Sequence, residues 1–373
     1  MLRSHAVYFP NLNGLRFIAA FMVIIYHIGQ FKFIFGTNPD WETSSTALHS
    51  MGGLGVLLFF TLSGFLITYL LLEEERVTGS IDIKQFYIRR VLRIWPLYFL
   101  VFILAYFTLT HISFFDFPGY YPGKFDAAEV CLLFVFFMSN VFLAAYGIIP
   151  YASQTWSVAV EEQFYLVWPL LLKTSRNKML SIFMVIGFIV FVRVALFLGV
   201  FDFLSFAGTL KVFWSLFSID CMAIGGIMSV LLFRKSPFLK YFLNLPVFIF
   251  AVLALVLLVA FHIEIPIVSV YLKNDLLATL FAIVILNLAA NPTLKNLLEF
   301  RWLDYLGKIS YGLYMFHGIA IATSIKLLLL CNAFNDITVF MLSLLLTVLI
   351  SHVSYRYFEG PFLKLKNKFS KLN

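Results

Sequence analysis

The chain has 373 residues, of which 62% are hydrophobic and 12% charged, and its mean hydropathy is +0.94. Soluble domains carry about a quarter of their residues as charges, so this chain has too few polar groups to clothe a soluble surface, and lipid must cover part of it. The formal charge of +8 fits the orientation bias of membrane loops better than nucleic-acid binding, and no nucleic-acid partner is expected.

A helix needs about 20 apolar residues to cross the hydrocarbon layer. Ten runs meet that need, at 13–34, 53–72, 94–111, 157–172, 179–200, 210–232, 245–262, 271–289, 309–330 and 337–355, and an eleventh at 128–146 is ambiguous. The first run is long, lacks a small-x-small cleavage site and is followed by many others, so it reads as a retained span and not a signal peptide.

Lys and Arg concentrate in short cytoplasmic loops. If the amino terminus is inside and 128–146 does not cross, 20 of the 27 basic residues fall on the inner side, from Arg3 and the Arg76 to Arg93 group to the tail ending in Lys371. Only Lys32, Lys124, Lys211 and Lys273 then face outward. A crossing 128–146 would put three basic loops and the basic tail on the wrong side. The expected architecture is an all-α, polytopic transmembrane bundle of about ten spans (eleven if 128–146 crosses), with both termini cytoplasmic. Residues 1–373 are expected to form one membrane domain with no appended soluble domain. Cys131, Cys221 and Cys331 have no metal or disulfide spacing, and no metal is expected.

Ionisable groups inside spans are costly, so each needs a reason. Arg16 and His27 share the first span, eleven residues apart, which places them about 20° from one common face and about 16 Å apart along the axis. An inner cation and a deeper imidazole on one stripe suggest a path. Taken singly, Arg16 could snorkel to headgroups and His27 could serve an interhelical hydrogen bond. Arg90 and Arg93, in FYIRRVLRIWPLYF, are three apart and face one way on a helix. Two guanidiniums at the inner surface suit a phosphorylated ligand, although anchoring to anionic lipid needs the same residues.

Glu161 and Glu162, in QTWSVAVEEQFYLVWP, begin a span from the outer side and are expected near the depth of His27. Their side chains diverge by about 100°, and Glu161 is the one expected to face the core and steady the histidine. Arg193 and Asp220 are expected to pair, Lys326 to snorkel outward, and His317, near mid-membrane in YLGKISYGLYMFHGI, to line the site. His352 is a weaker candidate. Gly14, Gly53, Gly64 and Gly312 permit close helix packing.

Several of these strings together resemble the membrane-bound acyltransferase family 3, the integral membrane O-acyltransferases. The opening NLNGLRFIAAFMVIIYH spaces Arg16 and His27 as that family's first helix does. GVLLFFTLSGFLIT resembles its second-helix signature, and Arg90-x-x-Arg93, TWSVAVEEQFYLVWP, LGKISYGLYMFH and the final YFEGP follow in order. The resemblance spans about residues 10–362. It implies a bacterial inner-membrane protein that takes an acyl group, acetyl first, from cytoplasmic acetyl-CoA to a hydroxyl of a cell-surface or lipid-linked glycan. Some members carry a fused esterase-like domain. This chain is expected to lack one, so it either acylates its acceptor directly or needs a partner.

On that reading Arg90 and Arg93 hold the coenzyme phosphates, Arg16 places the pantetheine arm, and His27 is a general base or a covalent acyl carrier, with Glu161 and His317 nearby. A glycolipid transporter or flippase and a non-catalytic glycan-assembly protein are the competing classes. No related halves of the kind many transporters show are evident. The parity argument makes a direct prediction. A cysteine placed at position 150 should react with an impermeant thiol reagent from the outer face; reaction from the cytoplasmic face alone would overturn the ten-span topology.

Overall fold

A computed structural model describes residues 7–38, 40–41, 46–261 and 271–369. Arg3, Lys371, residues 42–45 of the first outer loop and residue 262 of the seventh expected span lie outside the described residues. Sixteen α-helices follow one another among the described residues: α1 (Leu12–Ile34), α2 (Thr46–Thr78), α3 (Ile83–Ile103), α4 (Ala127–Val135), α5 (Ser139–Tyr146), α6 (Thr155–Thr174), α7 (Lys178–Phe197), α8 (Ala207–Leu216), α9 (Ile219–Phe233), α10 (Leu239–Phe242), α11 (Leu245–Ala260), α12 (Lys273–Ala290), α13 (Arg301–Lys308), α14 (Ser310–Leu330), α15 (Asp336–Val353) and α16 (Gly360–Asn367). No strand occurs among the described residues.

Among the described residues, eight helical stretches are long and apolar enough to cross a membrane. Two further expected spans are helical but fall outside that set. Helix α6 has 20 residues and carries Glu161, Glu162 and Lys173; α11 has 16 residues. The run 210–232 is one apolar stretch but two helices, α8 and α9, broken at Phe217 and Ser218. Helix α2 is much longer than the run 53–72, because its helix continues through Glu73, Glu74, Glu75 and Arg76. Helix α3 likewise starts at Ile83, capped by the Asp82 side chain accepting from the Gln85 amide, so Arg89, Arg90 and Arg93 are helical.

The ambiguous run 128–146 is not a single helix. Phe137, with φ of 54°, separates α4 of nine residues from α5 of eight. Neither reaches even half the hydrocarbon thickness at 1.5 Å per residue.

Helix α2 is the hub and packs on α1, α6, α9, α11 and α12. Its closest approach is to α9. A Cβ at Gly64 would lie 1.8 Å from the Met222 carbonyl oxygen, and one at Gly225 would lie 2.0 Å from that of Thr61. Gly14 and Gly312 are also closely packed, whereas Gly53 has nothing within 4 Å of a Cβ and does not serve helix packing. The start of α1 is tied down by buried Asn11. Its side-chain amide donates to the Leu288 and Leu294 carbonyls at 2.8 Å, and its oxygen accepts from the Leu298 amide at 2.7 Å.

Arg193 joins three helices. Its guanidinium pairs with Asp220 of α9 and, at 2.6 Å, with Asp275 of α12, so the expected pair is a triad. Lys326 donates to the Asp116 carbonyl at 2.6 Å and lies over the Phe35 ring. Replacing Arg193 with Met leaves buried Asp220 and part-buried Asp275 without a cation, a change of about 3–5 kcal/mol. Thermal melting of the detergent-purified variant should show a marked loss of stability, partly restored by adding Asp220→Asn. An unaltered melting temperature would show that the triad does not hold these helices together.

Candidate functional site

A cavity of about 400 Å³ lies between α1, α2, α3, α6 and α14, with α16 across one end. The wall is built from helices far apart in the chain. Arg16 projects from the first turns of α1, Arg90 and Arg93 from one face of α3, Glu161 from α6, and Lys366 from α16. Three of the expected site arginines and Glu161 therefore meet around one space.

The charges are unbalanced. Arg89 at the same wall is neutralised by Glu74 at 2.7 Å. No ion pair within 4.0 Å among the described residues includes Arg16, Arg90 or Arg93. The Arg90 guanidinium stacks 5.4 Å from the centroids of both the Phe86 and Tyr165 rings, and its Nε is buried without a hydrogen-bond partner. Three like charges converging in an apolar bundle repel one another strongly at low dielectric. An anion in the cavity relieves that repulsion, and planar guanidiniums suit phosphate oxygens.

Among the described residues that line the cavity, Glu161 is the one carboxylate without an ion pair. Its oxygens accept from the Ser63 hydroxyl at 2.9 Å and the Tyr165 hydroxyl at 3.0 Å. Glu162 points elsewhere and accepts from the Trp95 indole at 2.9 Å. The expected contact between Glu161 and His27 is not made. Glu161 lies six residues into α6, about 9 Å from its start, which sets it level with Ser63 and Arg16 instead of His27.

His27 and His317 sit beyond the far end of the cavity and touch each other, with ring centroids 4.6 Å apart. His27 Nδ1 lies 2.8 Å from the Val23 carbonyl oxygen, and His317 Nδ1 lies 2.5 Å from that of Tyr314. A carbonyl can only accept, so each Nδ1 carries the proton. In the neutral rings both Nε2 atoms then hold a lone pair, which suits a base or a nucleophile. His317 is 1% exposed and does not itself line the cavity.

Tyr314 bridges the two regions. It lines the cavity, its hydroxyl is 2.7 Å from Ser157 Oγ, and its ring centroid is 5.8 Å from that of His317. His352 takes no part; its Nδ1 is engaged by the Tyr305 hydroxyl at 2.5 Å.

Sequence reasoning missed Ser63, Tyr165, Tyr314 and Lys366. Tyr165 stands four residues after Glu161, and Tyr314 three before His317, both on the same helical face as their partners. That spacing was a usable signal. Nothing local marks Ser63 or Lys366.

Together these features define a helical, multi-pass membrane protein with a cationic cavity and, beside its wall residue Tyr314, a touching pair of imidazoles. The chain belongs to the acyltransferase-domain family, which it matches over residues 9–356. It is 28% identical to the peptidoglycan O-acetyltransferase OatA of Listeria monocytogenes, over 96% of this chain and 56% of that protein. It is also 28% identical to the putative peptidoglycan O-acetyltransferase YrhL of Bacillus subtilis, over 96% and 55%. With the O-acetyltransferase OatA of Staphylococcus aureus the identity is 26%, over 96% and 57%. The chain spans about half the length of these curated relatives. No solved structure matches it.

The unpaired arginines predict anion binding independent of any chemistry. Inorganic pyrophosphate at about 100 times its Kd should add ~2.7 kcal/mol of stability, read as a raised melting temperature. The shift should shrink with added salt and vanish in Arg16→Gln/Arg93→Gln. An equal shift in that variant would place the anion elsewhere.

Proposed function

We propose that this protein is an integral membrane O-acyltransferase of the bacterial inner membrane, with both termini in the cytoplasm. It moves an acyl group, acetyl in the first instance, from cytoplasmic acyl-CoA to a hydroxyl of a cell-surface or lipid-linked glycan. The observation that carries the reading is the cavity in which Arg16, Arg90 and Arg93 converge without ion-pair partners, and whose wall residue Tyr314 stands beside His317, which in turn touches His27. The O-acetyltransferase names of the relatives support the acetyl group and the glycan acceptor.

The donor's phosphates sit against Arg90 and Arg93, where charge-assisted, forked hydrogen bonds are available. Arg16 steers the pantetheine arm, and Glu161, held by Ser63 and Tyr165, balances part of the guanidinium charge. The thioester then lies beside Ser157 and Tyr314, next to the imidazoles. His27 Nε2 accepts the proton of the acceptor hydroxyl, and the oxygen attacks the thioester carbonyl. The carbon–sulfur bond breaks, and the departing coenzyme thiolate takes the proton back from the imidazolium. His317 offers a second Nε2 to hold the acceptor hydroxyl. The Nδ1–H bond of His27 to the Val23 carbonyl fixes the tautomer this step requires.

The membrane fold follows from geography. The donor exists inside and the glycan is completed outside, while Arg16 and His27 stand about half a hydrocarbon thickness apart on one helix.

Deletion of the gene should remove one O-acyl group from the host's surface glycans, seen by NMR and mass spectrometry. Complementation with wild type should restore it. His27→Ala, made and folded to the same level, should leave acylation at least about 100-fold down, the loss that removing a general base brings. Unchanged glycans in the deletion strain would overturn the glycan acceptor, and full activity of the folded variant would overturn the role of His27.

A further inference from the structure

The last helix of the chain reaches back into the donor cavity. After α15 the backbone passes through a π-helical turn, Ser354–Glu359, closed by the Ser354 hydroxyl donating to buried Glu359 at 3.0 Å. Helix α16 then packs along α3. A clip holds its end: Arg89 donates from Nη1 to the Phe369 carbonyl at 2.9 Å while its Nη2 pairs with Glu74. The consequence is that Lys366 lines the cavity with Arg16, Arg90 and Arg93. Lys364 and Lys368, two residues to either side and about 200° around the helix, are exposed.

Among the described residues no ion pair includes Lys366. An ammonium placed facing three guanidiniums has no structural use of its own. It completes a site for more negative charge than one phosphate carries.

We propose that Lys366 recognises the 3′-phosphate of the coenzyme A donor, an assignment that rests on the donor reading above. The order of groups along coenzyme A gives the direction. The thioester is at one end, the pyrophosphate lies in the middle, and the 3′-phosphoadenosine is at the other end. With the thioester beside Ser157 and Tyr314, the pyrophosphate falls among the arginines. The 3′-phosphate is then left at the mouth, where Lys366 stands beside exposed Asn367. Lysine suits this position because its ammonium binds a terminal phosphate as a point charge.

The test is calorimetric titration of the full chain, in nanodiscs of phosphatidylcholine alone, with coenzyme A and with 3′-dephospho-coenzyme A. Wild type should favour coenzyme A by about tenfold or more, as expected for a hydrogen bond between charged groups. Lys366→Gln should bind both at the wild-type affinity for the dephospho form. Lys366→Arg should recover the preference, and Lys364→Gln should keep it. A full preference in Lys366→Gln, or an equal loss for both ligands, overturns the assignment. So does a Lys366-dependent retention of phosphatidylglycerol with the coenzyme preference unaltered, which would mark a lipid-headgroup contact. Failure of the wild type to bind coenzyme A at all would instead overturn the donor reading, whatever Lys366 does.

Discussion

Charge buried in a membrane bundle has to be answered by opposite charge, and this protein answers it in two different ways. At Arg193 the answer is internal. Asp220 and Asp275 approach from two other helices, and the cation becomes a structural joint. At Arg16, Arg90 and Arg93 no carboxylate among the described residues forms an ion pair, and Glu161 lines the same cavity. The first arrangement is complete without a ligand. The second is complete only with an anion, because like charges at low dielectric repel too strongly to be left alone. The rest of the site is organised around that unfinished cluster.

Close packing makes the cluster possible. Helix α2 approaches α9 so nearly that Gly64 and Gly225 have no room for a side chain. The cost of holding repelling arginines in place is met by a tightly interlocked core, in which Asn11 sews the start of α1 to the segment after α12. Rigid placement matters for chemistry too. Each histidine has its Nδ1 tied to a backbone carbonyl of its own helix, so tautomer and ring orientation follow from the helix and not from a mobile partner. That removes the need for the carboxylate expected beside His27 and leaves Glu161 free to stand in the arginine cavity.

The helical class, most of the spans and the placing of Arg16 and His27 on one helix were legible in the chain, because apolar length and the 3.6-residue period are local properties. Arg90 and Arg93 were legible for the same reason. The limits of the run 128–146 were less so: its composition is apolar throughout, yet the positive φ at Phe137 divides it. The break between α8 and α9 is likewise invisible in hydropathy. Glu161 was expected to face the core near His27; it lines the arginine cavity instead, since depth depends on where α6 begins and how it slides against α2.

By itself, then, the sequence determined that this is a helical membrane protein and that several ionisable groups, Arg193, Asp220 and His317 among them, lie within its apolar helices. These follow from composition and from one helix at a time. Only the tertiary structure decided which of those groups meet. The contact of His27 with His317, the exclusion of Glu161 from that pair, the third member of the Arg193 triad and the return of Lys366 to the arginines all join residues on different helices. Their distances depend on the register and rotation of one helix against another, and those are set by packing across the whole bundle, which no local stretch of sequence encodes.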